Sequence, residues 1–221
     1  MTRAGFVALA LACGVAIAQQ QQPAPVSGAW LADELRKGGY IVYFRHTKTS
    51  LEHEHEARMR RAGLLQIDKC ETQRNLSEAG FLEAKKQATA VAQLGIPIGS
   101  VYASRYCRAW QHASFFGVRY EFADPITPVR DRDKALALRA MLNTPPAPGT
   151  NTFMFAHGGI MWQSTDYDSV ESETFVYKPS PGGERAALVA AIKMEEWDRV
   201  LAGQPCCAPR TFWSGKDAPP E

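Results

Sequence analysis

Apolar residues along this chain fall into short unbroken runs and longer stretches at helical spacing, and the two kinds alternate. Tyr40-Ile41-Val42-Tyr43-Phe44 is unbroken and ends in Arg45-His46, and Asn151-Thr152-Phe153-Met154-Phe155-Ala156 ends in His157-Gly158-Gly159. A strand buried on both faces reads as such a run, and open α/β sheets bind ligands at their carboxyl edge, so each run brings a histidine to that edge. Val101-Tyr102-Ala103-Ser104 is a third strand-like segment with Arg108 just beyond it, and residues 173–178 and 186–194 read as two more.

Helical spacing fills the intervals. Residues 30–36 predict a short helix closed by Lys37-Gly38-Gly39. Ser77 is the expected N-cap of a longer helix whose buried stripe would be Phe81, Ala84, Ala88 and Val91, with Gly95 and Pro97 ending it. Residues 105–116 form an aromatic-rich helix, and 131–142 another, with Ala135, Leu138 and Leu142 on one side and Pro145-Pro146 as its stop. A short helix around Trp197 closes the pattern. Strand alternating with helix predicts a three-layer α/β/α domain around a mostly parallel sheet. Residues 47–69 break the rhythm: they are polar, unpatterned and charge-dense through Leu51-Glu52-His53-Glu54-His55-Glu56, as expected of a functional lid or a solvated loop.

Length sets the scale next, since 221 residues make one ordinary domain that buries roughly two-thirds of the unfolded chain's surface. The formal net charge of +2 includes Arg3 and gives no reason to expect a nucleic-acid partner. The first eighteen residues have the form of a secretory signal, with Arg3, an apolar stretch from Phe6 to Ala12 and Ala16-Ile17-Ala18 as cleavage site. Cys13 offers a less favoured reading as a lipid-attachment site, and the apolar stretch is too short for a membrane span. The expected organisation is a signal peptide over 1–18, a Gln/Pro linker over 19–29, one domain over 30–203 and an irregular tail over 204–221. The mature protein would be periplasmic or secreted. Cys70, Cys107, Cys206 and Cys207 would then meet an oxidising environment. Cys70 and Cys107 should both lie near the same sheet edge and are the preferred pair, leaving Cys206 and Cys207 bridged to each other or as thiols.

Arg45-His46-Thr47 resembles the Arg-His-Gly signature of the histidine phosphatase superfamily, the phosphoglycerate-mutase-like fold. Other segments follow in the family's order. Gln73-Arg74-Asn75-Leu76-Ser77 with Gly80 resembles the opening of its first helix, and 101–108 its second phosphate-binding segment. Ala156-His157-Gly158 is similar to its second catalytic histidine, and Glu171-Ser172-Glu173 to an acidic pair in secreted bacterial members. Thr47 stands where a small residue is usual and His112 where threonine is common, departures that bear on substrate fit.

The resemblance implies a covalent route for an exported, metal-independent phosphatase acting on small phosphomonoesters, with no cofactor. His46 would be the nucleophile, Arg45 and Arg108 planar fork donors to phosphate oxygens, and His157, if protonated, a third cationic donor. The general acid is the least specified group: Asp131 is favoured over Glu54 and Glu56 from the long excursion. His53 and His55 among glutamates invite a metal reading, but no third, well-spaced ligand accompanies them. A phosphate-binding protein without turnover, and a mutase, are the competing functions.

Overall fold

The computed structural model describes residues 25–50, 53–128, 132–165, 169–182 and 185–207. The expected signal peptide, Cys13, most of the Gln/Pro segment and Asp131 lie outside the described residues, as do residues 208–221.

In chain order the elements are β1 (Val26–Ser27), α1 (Gly28–Lys37), β2 (Ile41–Arg45), α2 (His53–Arg61), α3 (Glu78–Gln93), β3 (Ile98–Ala103), α4 (Cys107–Ser114), β4 (Glu121–Phe122), α5 (Arg132–Asn143), β5 (Asn151–Ala156), α6 (Gly158–Thr165), β6 (Thr174–Lys178), β7 (Ala187–Ile192), α7 (Trp197–Leu201) and β8 (Pro205–Cys206). One-turn helices at Cys70–Thr72, Asp124–Ile126 and Met194–Glu196 punctuate the loops. The main sheet has the order β4-β3-β5-β2-β6-β7. Its β4, β3, β5 and β2 pair in parallel, and β6 runs antiparallel to both β2 and β7. The fold is therefore the mixed α/β, mostly parallel sheet that the alternation predicts.

Alternation within the buried strands divides the core. Val42 and Phe44 face one layer with Phe153, Phe155 and Val101, against Leu31 and Leu35 of α1, Ala90 and Val91 of α3, and Trp197 and Val200 of α7. Ile41 and Tyr43 face the other with Met154 and Phe175, against Leu138 and Leu142 of α5 and Ile160 and Met161 of α6. Each fully buried side chain of this size contributes about 1.5–3 kcal/mol. The β2 run is apolar throughout because both of its faces are covered.

Three local expectations are corrected. The stripe of α3 is Gly80, Ala84, Gln87, Ala90 and Val91, whereas Phe81 is 39% exposed and meets Phe115 in a tilted contact at a ring separation of 5.8 Å. Small residues let α3 sit close: a Cβ on Gly80 would overlap the Lys48 carbonyl, and Gln87 Nε2 reaches the Ser172 carbonyl at 2.7 Å. The unpatterned excursion contains α2, and Thr49 bridges to Leu76. The tail does not become irregular at once, because β8 pairs with β1 and buries Cys206 and Cys207, which are bonded to each other. Cys70 is bonded to Cys107, with Cα atoms 5.6 Å apart. Among the described residues no helix is long and apolar enough to cross a membrane.

Candidate active site

Parallel pairing of β2 and β5 sets Arg45 opposite Ala156, so the residues that follow, His46 and His157, leave the sheet side by side. His46 N donates to the Ala156 carbonyl at 3.0 Å, and the two imidazole rings lie 5.2 Å apart between centroids. Both side chains are buried.

The tautomer of His46 follows from its partner. Nδ1 lies 3.0 Å from the Thr47 carbonyl oxygen, which can only accept, so Nδ1 carries the proton and the lone pair of the neutral ring is on Nε2. Burial first, then the cations of Arg108 and Arg45, push the His46 pKa well below the ordinary histidine value. The same causes, burial and then Arg108, depress His157. His157 is therefore neutral at neutral pH in this arrangement. Its Nε2 meets Ser104 Oγ at 2.9 Å, and its buried Nδ1 has no hydrogen-bond partner among the described residues.

Three guanidinium groups are gathered around this pair. Arg45 ends β2, donates to the Ser169 carbonyl and lies against Gly158, where a Cβ would come within 2.7 Å of Nη1. Arg108, in the first turn of α4, is 4% exposed and lies over the Tyr106 ring at 4.6 Å. Burial lowers its pKa to about 10, leaving it cationic at neutral pH. Its Nε is buried without a hydrogen-bond partner among the described residues. An unmet guanidinium N–H in a buried site is costly unless an acceptor arrives.

Arg74 is the third, which along the sequence stands only as part of a helix opening. Its Nη1 donates to Thr49 Oγ1 at 2.9 Å and to Glu171 Oε1 at 3.1 Å, and its charge acts on both histidines. Glu171 is held in turn by Thr49 N at 3.2 Å and Thr49 Oγ1 at 2.9 Å. Its Oε1 is 3.9 Å from His46 Nδ1, beyond hydrogen-bond reach, and the neutral ring makes no ion pair with it.

Glu56, expected with Glu54 as an alternative to Asp131 for the general acid, also joins the site. Only 7% exposed, it accepts from Arg108 Nη1 at 3.0 Å and Arg74 N at 3.0 Å through Oε2, and from Arg60 Nη2 at 3.1 Å through Oε1. The sequence signal was the register of α2, which the dense run of charges concealed.

His112 lies outside this group. It is packed among Phe44, Phe116 and Phe155 with ring separations of 5.6, 5.8 and 5.0 Å, and burial lowers its pKa to about 3. Among the described residues no group of three or more His, Cys, Asp or Glu side chains converges as a metal site.

No family model matches the chain, and no curated protein matches its sequence. Solved structures match its fold. The histidine phosphatase SixA complexed with tungstate superposes with a TM-score of 0.53 at 14% identity, over 71% of this chain and 98% of that one. A mycobacterial glucosyl-3-phosphoglycerate phosphatase gives 0.49 at 15% identity, over 68% and 97%. A phosphoserine phosphatase from Entamoeba histolytica gives 0.44 at 12%, over 69% and 95%. At such identity, the SixA superposition establishes a shared fold.

Proposed function

We propose that this chain is a phosphatase of the histidine phosphatase superfamily that hydrolyses small phosphomonoesters through a phosphohistidine on His46. One observation carries the reading. A neutral imidazole with its lone pair on Nε2 stands within a ring of three arginines, one of which holds a buried, unmet N–H. Phosphoryl transfer asks for such a combination, a nucleophile in line with the leaving oxygen and fixed positive charge around the equatorial oxygens. SixA, whose fold the chain shares, is described with tungstate, a tetrahedral oxyanion.

In the proposed reaction His46 Nε2 attacks phosphorus while the Thr47 carbonyl steadies the proton on Nδ1. Arg45, Arg74 and Arg108 bind the phosphoryl oxygens. His157 gains a proton as the dianion enters and adds a further donor, since a nearby negative charge raises an imidazole pKa. Water then attacks the phosphohistidine, so one difficult displacement becomes two easier ones. No step draws on a metal or cofactor.

Beside Arg45 and Glu171 a cavity of about 650 Å³ runs along the carboxyl edge toward Lys48, Glu83, Lys193 and Glu195. Its rim alternates cationic and anionic side chains. Export is part of the proposal, supported by the signal-like first eighteen residues and by the Cys70 to Cys107 bond, which persists in oxidising compartments. N-terminal sequencing of the mature protein from a periplasmic or culture fraction should begin at Gln19.

The function is tested by p-nitrophenyl phosphate turnover in chelator for the wild type and His46→Ala, with acid- and base-quenched samples assayed for base-stable, acid-labile phosphate on the protein. Metal-free turnover and phosphohistidine, both lost in the variant, are expected. Phosphate or vanadate binding with no turnover would overturn the enzyme reading in favour of a binding protein. Isomer exchange faster than phosphate release would favour a mutase.

A further inference from the structure

Resting on the phosphatase reading, we infer that Glu56, carried into the site by α2, is the catalytic proton donor to the leaving oxygen. The chain must supply an acid near the arginines, away from the nitrogen of His46 that is turned to Thr47. Among the described residues two carboxylates are seen on Arg108 and Arg74, Glu56 and Glu171 respectively. Glu171 is on the wrong side of the ring, beside Nδ1, and three hydrogen bonds from Thr49 and Arg74 hold it there. Glu56 instead sits on Arg108, the arginine whose charge acts most strongly on both histidines after burial.

The groups facing Glu56 explain how it can be loaded. Arg60 approaches from its own helix, Arg74 N–H from the segment after the Cys70–Thr72 turn, and Arg108 from α4, while Tyr106 Oη is bonded to Arg60 at 3.4 Å. These cations keep Glu56 ionised, outweighing its burial. A phosphoryl dianion sharing Arg108 withdraws part of that support and adds like charge, and both changes favour the acid form. The residue that balances Arg108 before substrate arrives is thereby the one that takes up a proton when it does.

In the first step the bond from His46 Nε2 to phosphorus forms as the ester P–O bond breaks. That electron pair goes to the leaving oxygen, which takes the Glu56 proton and departs as the alcohol. In the second step water attacks phosphorus, Glu56 carboxylate takes the water proton, and the N–P electron pair returns to His46. Inorganic phosphate leaves and the acid is restored.

The test compares an ester with a good leaving group, p-nitrophenyl phosphate, and one with a poor leaving group, glycerol 2-phosphate, in wild type, Glu56→Gln and Glu56→Asp. For Glu56→Gln the expected loss of kcat/KM is about 10²–10⁴-fold with the alkyl ester. With the aryl ester it should be within about tenfold, since a leaving group that departs as a stable anion gains little from a proton donor. Phosphohistidine should accumulate from the aryl ester because the second step loses its base. Glu56→Asp, which keeps a carboxyl group, should recover part of the alkyl-ester activity. Equal losses on both esters, or no recovery by aspartate in a variant that melts like wild type, would make Glu56 a structural latch for Arg108 and overturn the inference. Wild-type enzyme that never forms phosphohistidine would instead sink the phosphatase reading itself.

Discussion

Tyr43 and His157 exchange hydrogen bonds across the sheet: Tyr43 Oη donates to the His157 carbonyl at 2.8 Å and accepts from His157 N at 3.3 Å. A side chain from the middle of β2 thus clamps the backbone at which β5 ends and α6 begins. Tyr43→Phe would remove the partner of the buried His157 N–H, costing about 1–3 kcal/mol. Denaturant unfolding should show that loss. Because His157 would be free to drift, kcat should also fall by about tenfold or more at unchanged expression and fold, read from steady-state kinetics and circular dichroism.

Gly158 allows the close approach of Arg45. Its Cβ position is 2.7 Å from Arg45 Nη1 and 2.7 Å from Ser169 Oγ, so alanine there must displace both the guanidinium and the Ser169 side chain. Gly158→Ala should weaken vanadate inhibition by about tenfold or more, the worth of one misplaced charge-assisted pair. An inhibition constant equal to that of wild type would show that Arg45 does not touch the oxyanion.

The Cys70 to Cys107 bond ties together the segments that carry two of the arginines. Cys107 adjoins Arg108, its N–H donates to Gln73 Oε1 at 3.0 Å, and Asn75 Nδ2 donates to the Cys70 carbonyl at 2.8 Å on the other side of Arg74. Closing a loop with a sequence separation of 37 is worth about 4 kcal/mol on a chain-entropy basis. The double variant Cys70→Ser, Cys107→Ser should lose about 2–4 kcal/mol in denaturant titration and bind vanadate more weakly than wild type. Reduction of the wild type should reproduce both effects.

His46, His112 and His157 all have depressed pKa values in the folded chain. Above their unfolded value near 6.5 neither state binds the proton, and stability is at its full value. As pH falls below that, the unfolded chain takes up protons that the folded chain refuses, so stability is lost by about 1.4 kcal/mol per pH unit for each such histidine. The interval from about pH 6.5 to 4.5 lies above the lowered Glu56 pKa, so the comparison reads histidine protonation. Across it, His112→Leu should lose stability less steeply than wild type by one proton's worth. At pH 7.5 it should fold at least as well, because both ring nitrogens of His112 are buried without a hydrogen-bond partner among the described residues. Urea titrations at three pH values give both results.

The sequence by itself determined the strands that end in His46 and His157, because strands buried on both faces must be continuously apolar, and that pattern is local. It also determined the helix that opens at Ser77, since Ser77 Oγ caps the Gly80 N–H through a short-range hydrogen bond. Burial depth was less legible. Phe81 is outside and Gln87 inside because what α3 buries depends on how closely it approaches the sheet, and Gly80 sets that approach.

What only the tertiary structure decided is the company that each charge keeps. Arg74 reads as part of a helix opening until Thr49 and Glu171 converge on it, and Glu56 reads as one acid among many until α2 turns it onto Arg108. The tautomer of His46 and the neutrality of His157 have the same origin. Periodicity along a chain reports which face of an element is apolar, whereas a proton's position depends on partners brought in from distant segments and on the water they exclude.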